Sequence, residues 1–296
     1  MWFYILVLEE LKVIVSEVLK DGKEKLIENK VEDASIIARV LLQYVLKLNR
    51  EELILKHDDE IEKNDVEKYF SSIEKIIDGV PLQYITNNQE FYGLNFYVDE
   101  NVLIPQPDTE ILVEEAIKII KNEKKDKVLD MCTGSGCVGI SIAKNTYNIE
   151  VTLCDISEEA LKVAKGNINK NITIEDDVSK RIKTVKTDLF EKINEKFDVI
   201  VSNPPYIKTS VISMLSKQVR NEPILALDGG KDGLEFYKKI IKDAPNFLNE
   251  NGYILLEIGY DQKEKVIKLA QDMKIFSKIE AKQDLSGNDR VVVLRK

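Results

Sequence analysis

The segment Asn203-Pro204-Pro205-Tyr206 follows an apolar run, Phe197-Asp198-Val199-Ile200-Val201-Ser202, that reads as a strand. Two consecutive prolines fix φ and remove two backbone donors, so the segment is stiff and presents carbonyl oxygens without competing N–H groups. The Pro204 carbonyl is one acceptor and the Asn203 side-chain oxygen a second; Tyr206 adds a flat face. Such a pair suits a planar –NH2, as on a carboxamide or an exocyclic adenine amine. The lone pair of that nitrogen is delocalised and a poor nucleophile, but holding both N–H bonds fixes its plane and aims the developing lone pair at a methyl sulfonium. The protein then contributes mainly positioning. An N-methylated amide cation is acidic enough to need no strong base. The single histidine, His57, lies among charges far upstream and reads as a surface residue.

A second cluster lies about seventy residues earlier. The run Val128-Leu129-Asp130-Met131-Cys132-Thr133-Gly134-Ser135-Gly136-Cys137-Val138-Gly139 reads as a strand turning into a helix. Glycines there permit positive φ and let backbone N–H groups approach a ligand. Asp155 follows Gly136 by nineteen residues at the end of the next expected strand, where a carboxylate can accept both hydroxyls of a ribose. The turn also satisfies GxGxxG, which raises a nicotinamide dinucleotide as an alternative. Asp130 argues against it, since a carboxylate aimed into the turn would repel a pyrophosphate. An ammonium would be attracted instead, which suits the methionine end of S-adenosylmethionine.

These residues need a frame. Apolar residues recur at helical spacing from residue 8 to about 80: Leu8, Leu11, Ile14, Val15, Val18, Leu19; then Ala34, Ile37, Ala38, Leu41, Leu42, Val45; then Val66, Tyr69, Phe70, Ile73, Ile76, Ile77. Asp21-Gly22 is expected to close the first helix and Asp78-Gly79-Val80-Pro81 to break the last. The opening run Trp2 to Leu8 is too short to span a bilayer and runs into Glu9-Glu10; it reads as the start of a buried helix. Alternation over Phe91 to Val98 suggests a hairpin. Asp108 and Thr109 are expected to cap a helix with a buried stripe of Leu112, Ala116, Ile119 and Ile120. Strands are expected near 127–131, 149–154, 182–186, 197–201 and 252–257 with helices between, and an antiparallel hairpin from 276–282 and 289–294. This alternation predicts an α/β fold with a doubly wound, mostly parallel sheet. The expected domains are a helical one over 1–82, a linker with a β-hairpin over 83–107, and a cofactor-binding one over 108–296.

The chain has 296 residues, with 44% hydrophobic and 32% charged. That argues against a disordered polymer and against a membrane protein. Forty-three Lys and Arg against fifty-two Asp and Glu give a net charge of −9, a poor surface for blanketing nucleic-acid phosphates. Cys132, Cys137 and Cys154 form no CxxC pair and no zinc pattern, so the expected setting is a reducing cytoplasm and no metal is expected.

The motifs together resemble the release factor glutamine methyltransferases, the HemK or PrmC family of class I S-adenosylmethionine-dependent enzymes. The resemblance spans nearly the whole chain: Asp33-Ala34, Pro81 to Thr86, Phe91 to Leu94, Val102-Leu103-Ile104-Pro105-Gln106-Pro107-Asp108-Thr109-Glu110, and the glycine turn. It continues through Asn203-Pro204-Pro205-Tyr206-Ile207, Glu222-Pro223, Ala226 to Leu234, and Asp284 to Arg290. It implies a Rossmann-like seven-stranded sheet preceded by a helical substrate-docking bundle. The implied reaction is methylation of the side-chain N5 of the glutamine in the Gly-Gly-Gln loop of peptide chain release factors. Asp130, Cys132, Thr133, Gly134, Ser135 and Gly136 would hold the methionine part, Asp155 the ribose, and Asp188 and Leu189 the adenine. Asn203 would face both cofactor and substrate; with Pro204 and Tyr206 it would be catalytic, and Pro205 would complete the substrate site. The expected state is a monomer acting on release factors, away from membranes and without direct nucleic-acid contact.

Three positions depart from the family pattern. Cys132 and Asn87 replace glycines, and Gln106 replaces an arginine between two prolines. Cys132 is expected to leave the turn intact if its φ is negative, and the change at Gln106 puts an ionic contact in that loop in question. Two rival functions remain at this stage. An adenine-N6 DNA methyltransferase shares the NPPY motif but needs a basic DNA face. A translation-factor-binding module with an inactive cofactor fold is the other.

Overall fold

The helical spacing folds as helices Val15–Glu28, Ala34–Leu46, Arg50–Leu55, Lys63–Ile77 and Leu82–Thr86 in a computed structural model that describes residues 13–172, 181–284 and 286–296. The chain divides into two compact units, residues 1–86 with 217–221 and residues 87–216 with 222–296. The stripes predicted from sequence contribute Val18, Ala38, Leu41, Leu42, Tyr69 and Ile73 to the first unit's core, all fully or almost fully buried, and Leu26, beyond the expected end of the first helix, is buried with them. The residues Trp2 to Leu8 and Leu11 lie outside the described residues, as does Leu285.

The first helix does not close at Asp21-Gly22 but runs on to Glu28. Gly22 is a packing position: a Cβ there would lie 2.2 Å from the Tyr69 hydroxyl. The ring of Tyr69 is fully buried against that gap. A helix tolerates an interior glycine at a cost of about 1 kcal/mol, and the tyrosine ring supplies the reason for it here.

The second unit starts with a hairpin, β1 (Gln89–Phe91) and β2 (Leu94–Phe96). Its two turn residues, Tyr92 and Gly93, both have positive φ, the backbone of a type I′ turn. Seven further strands form one sheet: β3 (Lys127–Met131), β4 (Glu150–Asp155), β5 (Ile182–Lys186), β6 (Phe197–Ser202), β7 (Leu248–Glu257), β8 (Lys278–Gln283) and β9 (Asp289–Arg295). The order is β5-β4-β3-β6-β7-β9-β8, with only the pairings of β9 antiparallel. β7 begins four residues earlier than expected, because Leu248 pairs with Phe197 across an irregularity in the ladder.

Alternate residues of each strand feed opposite layers. Val128, Leu153, Val199, Val201 and Leu255 pack under helices Glu110–Glu123, Cys137–Asn145 and Glu158–Asn171. Leu129, Met131, Ile200 and Leu256 pack under helices Glu235–Asp243 and Lys263–Met273. With both faces covered, the central strands are continuous apolar runs. The chain winds outward from β3 through β4 to β5, then returns to β6 on the other side of β3. That reversal opens a crevice beyond the carboxyl ends of β3 and β6, where such sheets bind ligands. The glycine turn and Asn203 both begin there.

Candidate active site

A cavity of about 320 Å³ fills this crevice, at the lower end of the size range of small-molecule sites. Asp130, Cys132, Thr133, Gly134 and Ser135 line one side, Asp155, Asp188 and Leu189 another, and Asn203 and Pro205 face it from the end of β6. The structure thus brings together nearly all residues predicted from sequence. Gly136, Pro204 and Tyr206 are not among the lining residues.

The turn is held by Asp130. Its Oδ2 accepts the Thr133 hydroxyl at 2.5 Å and the Gly139 amide at 2.9 Å. Burial pushes the Asp130 carboxyl up to about 7, against the pull of those two hydrogen bonds. Gly139 must be glycine, since a Cβ would sit 2.2 Å from the Leu153 side chain and 2.9 Å from Asp130 Oδ2. Gly136, at φ 83°, caps the following helix. Gly134, at φ 53°, has open space where a Cβ would stand. Asp155 accepts the Gly134 amide at 2.9 Å through Oδ2 and the Ser157 amide at 2.9 Å through Oδ1. Each carboxylate oxygen keeps a second lone pair for a ligand hydroxyl.

Cys132 has φ 58°, so the condition on which it was expected to be harmless fails. A side chain in the left-handed region costs about 1–2 kcal/mol, which explains why glycine is usual there. Asn87 shows the same feature at φ 50°, at lower cost because asparagine tolerates this conformation. Leu189, at φ 45°, is a second positive-φ side chain at the cavity wall beside Cys132, the kind of backbone strain found at ligand sites. Gln106 donates to the Ile104 carbonyl at 3.0 Å. The ionic contact of that loop is made instead by Asp108, 2.7 Å from Arg290.

Thr109 precedes helix Glu110–Glu123 but makes no capping hydrogen bond, contrary to expectation. Its hydroxyl accepts from Asn203 Nδ2 at 3.2 Å. Asp108 is engaged with Arg290, which also pairs with Asp284 at 2.9 Å.

The Asn-Pro-Pro-Tyr segment is braced from below. The Ile207 amide donates to the Leu227 carbonyl at 3.0 Å, and the Gly229 amide donates to the Ile207 carbonyl at 2.8 Å. A Cβ on Gly229 would come within 2.7 Å of the Tyr206 Cα, and one on Gly233 within 2.5 Å of the Tyr206 carbonyl oxygen. Gln262 Nε2 bridges the Tyr206 and Gly233 carbonyls at 3.0 and 3.1 Å, while its Oε1 accepts the Gly259 amide and the Tyr237 hydroxyl. Tyr206 packs against the second core layer, and burial pushes its phenol well up. Gln262 and the buried Glu257 were missed by sequence reasoning. The sequence signal for Glu257 is a polar residue at the end of an otherwise apolar strand; Gln262, which precedes helix Lys263–Met273, carries no such signal.

Residues 107–219 match the methyltransferase small domain family, and residues 17–86 match the PrmC N-terminal domain family. A release factor glutamine methyltransferase of Clostridium acetobutylicum is 43% identical over 86% of this chain and 89% of its own length. One of Clostridium botulinum is 41% identical over 96% of this chain and its entire length. In fold, a methyltransferase from Pyrococcus furiosus superposes with a TM-score of 0.50 at 19% identity, over 76% of this chain and 98% of that one. A seven-stranded sheet with one reversed strand, and a glycine turn at its switch point, define a methyltransferase, a class that in general uses S-adenosylmethionine. Identity at this level over nearly the full length is more specific still. The chain belongs to the release factor glutamine methyltransferase family.

Proposed function

We propose that this protein methylates the side-chain N5 of a glutamine in the Gly-Gly-Gln loop of peptide chain release factors. The observation that carries the reading is Asn203, at the carboxyl end of β6, facing the cavity with its NH2 end tied to Thr109. That leaves Oδ1 to accept from a substrate amide.

The residues present fit S-adenosylmethionine. Ser135 Oγ is buried without a hydrogen-bond partner among the described residues, and Gly134 leaves open space at its Cβ position. Thr133, Gly134, Ser135 and Gly136, with Asp130 and Cys132, would hold the methionine part, Asp155 the ribose, and Asp188 with Leu189 the adenine. When bound, S-adenosylmethionine supplies an electrophilic methyl group. This chain's own part is to hold the glutamine amide. Asn203 Oδ1 accepts one of its N–H bonds and the Pro204 carbonyl is the candidate for the other, although Pro204 is buried and does not line the cavity, while Pro205 and Tyr206 stiffen the segment. The methylated amide releases its proton without a built-in base, so the absence of histidine from this unit is no obstacle.

The net charge of −9 supports a protein substrate rather than DNA. No described helix is long and apolar enough to cross a membrane. We place the protein in the cytoplasm as a monomer, with residues 1–82 as the release-factor docking domain, 83–107 as linker and 108–296 as catalytic domain. Incubation with labelled S-adenosylmethionine and a release factor is expected to label the Gly-Gly-Gln peptide on glutamine; label confined to adenine in added DNA would overturn the reading.

A further inference from the structure

Glu257 closes β7 with 2% of its surface exposed. β6 and β7 run parallel with Ser202 opposite Leu256, so Asn203 and Glu257 leave neighbouring strands at the same level. Three side chains meet there. Asn203 Nδ2 donates to Thr109 Oγ1, and the Thr109 and Asn203 side chains stand close enough to the Glu257 carboxyl to counter part of the rise that burial imposes on it. The donors and acceptors can be counted. An ionised carboxylate only accepts, a hydroxyl has one proton to give, and a carboxamide has two N–H donors on one end and an oxygen on the other. With Glu257 ionised, the arrangement closes when Thr109 gives its proton to Glu257 and Asn203 turns its NH2 end toward both. The Asn203 oxygen is then left for the cavity.

We propose that Glu257 is a positioning residue that, directly and through Thr109, locks the Asn203 carboxamide in the flip presenting Oδ1 to the substrate amide. The inference rests on the role given to Asn203 above. A flipped Asn203 would set N–H against the N–H of the substrate and its own oxygen against the carboxylate. Burial of Glu257 is costly, which is what a structural residue would avoid. Its Oε2 has no hydrogen-bond partner among the described residues, and burial raises the carboxyl to about 7. An apolar residue would pack there without that penalty.

The test uses the full chain with S-adenosylmethionine and a release factor. Glu257→Leu is expected to lower kcat about 100-fold, while calorimetric affinity for S-adenosylmethionine changes by less than about threefold. Asn203→Asp sets two carboxyls together and is expected to be at least as damaging. Combining it with Glu257→Gln reverses the polarity of the pair, since the introduced amide donates to the introduced carboxylate, and is expected to restore about tenfold over Asn203→Asp alone. A readout independent of turnover is hydrogen exchange of the Asn203 side-chain amide by NMR, slow in the wild type and faster in Glu257→Leu.

Wild-type kcat in Glu257→Leu would overturn the proposal, as would equal losses of kcat and cofactor affinity, or a double variant no better than Asn203→Asp. If Asn203→Ala itself retained turnover, the role of Asn203 would fail first. An inactive Asn203→Ala beside a fully active Glu257→Leu would sink the positioning role alone.

Discussion

In the proposed mechanism Asn203 acts through which of its two ends faces the cavity, so its removal should separate binding from turnover. Asn203→Ala is expected to lower kcat by about 100- to 1,000-fold, the range seen when one pre-aimed hydrogen-bonding group is lost. Cofactor affinity by calorimetry should stay nearly unchanged. Equal loss of both would show that Asn203 serves the cofactor rather than the substrate. Cys132 poses a stability question instead. Its φ of 58° carries a strain that glycine lacks, while its thiol makes some contact with the second core layer. Cys132→Gly is expected to stabilise the fold by about 0.5–1 kcal/mol, strain relief outweighing lost contact and a freer unfolded chain. A rise in the urea midpoint without a change in slope would register it.

Glycines set how closely elements approach in both units, and two substitutions test this against local propensity. Alanine is favoured over glycine in a helix by about 1 kcal/mol. At Gly22 the added carbon would meet the Tyr69 ring, so Gly22→Ala is expected to destabilise by about 1–3 kcal/mol, as overpacking does. A higher melting temperature would show that Tyr69 moves aside freely. In the sheet unit, Gly233 lets its loop reach the Tyr206 carbonyl that Gln262 also binds. Its φ of 72° adds a backbone penalty for any side chain. Gly233→Ala is expected to displace the Asn-Pro-Pro-Tyr segment and lower kcat about tenfold or more with little change in cofactor affinity. The Ala226 to Leu234 segment, legible in the sequence only as part of a resemblance, thereby acquires a physical task.

Across the whole molecule, stability should depend on pH in a direction unusual for carboxyl groups. Asp130, Glu222 and Glu257 are each pushed up to about 7 by burial, against about 4 when unfolded. The folded state therefore binds more protons between pH 4 and 7, and each group's contribution, full below pH 4, is lost as pH rises through 7. Asp284, held down to about 2 by Arg290, acts with the opposite sign but only below pH 4. The melting temperature without cofactor is expected to fall from pH 5.5 to pH 8. Glu222→Gln keeps an acceptor for the Ile104 amide that Glu222 binds at 2.9 Å and should reduce that slope by about a third. An unchanged slope would mean that Glu222 does not titrate in this range. The sequence by itself determined the helices, the strands and the chemistry of the two motifs, because each is written in local spacing: apolar periodicity, proline stiffness, glycine at a turn. Tertiary structure alone decided what Thr109, Glu257 and Gln262 do. Thr109 meets Asn203 94 residues away, Tyr237 meets the Glu257 carbonyl 20 residues away, and Gln262 meets the Gly233 and Tyr206 carbonyls 29 and 56 residues away, and the proposed orientation of the Asn203 carboxamide depends on a place where three separate chain segments meet. The same reason hid Gly22, whose neighbour Tyr69 is brought to it by packing rather than by sequence.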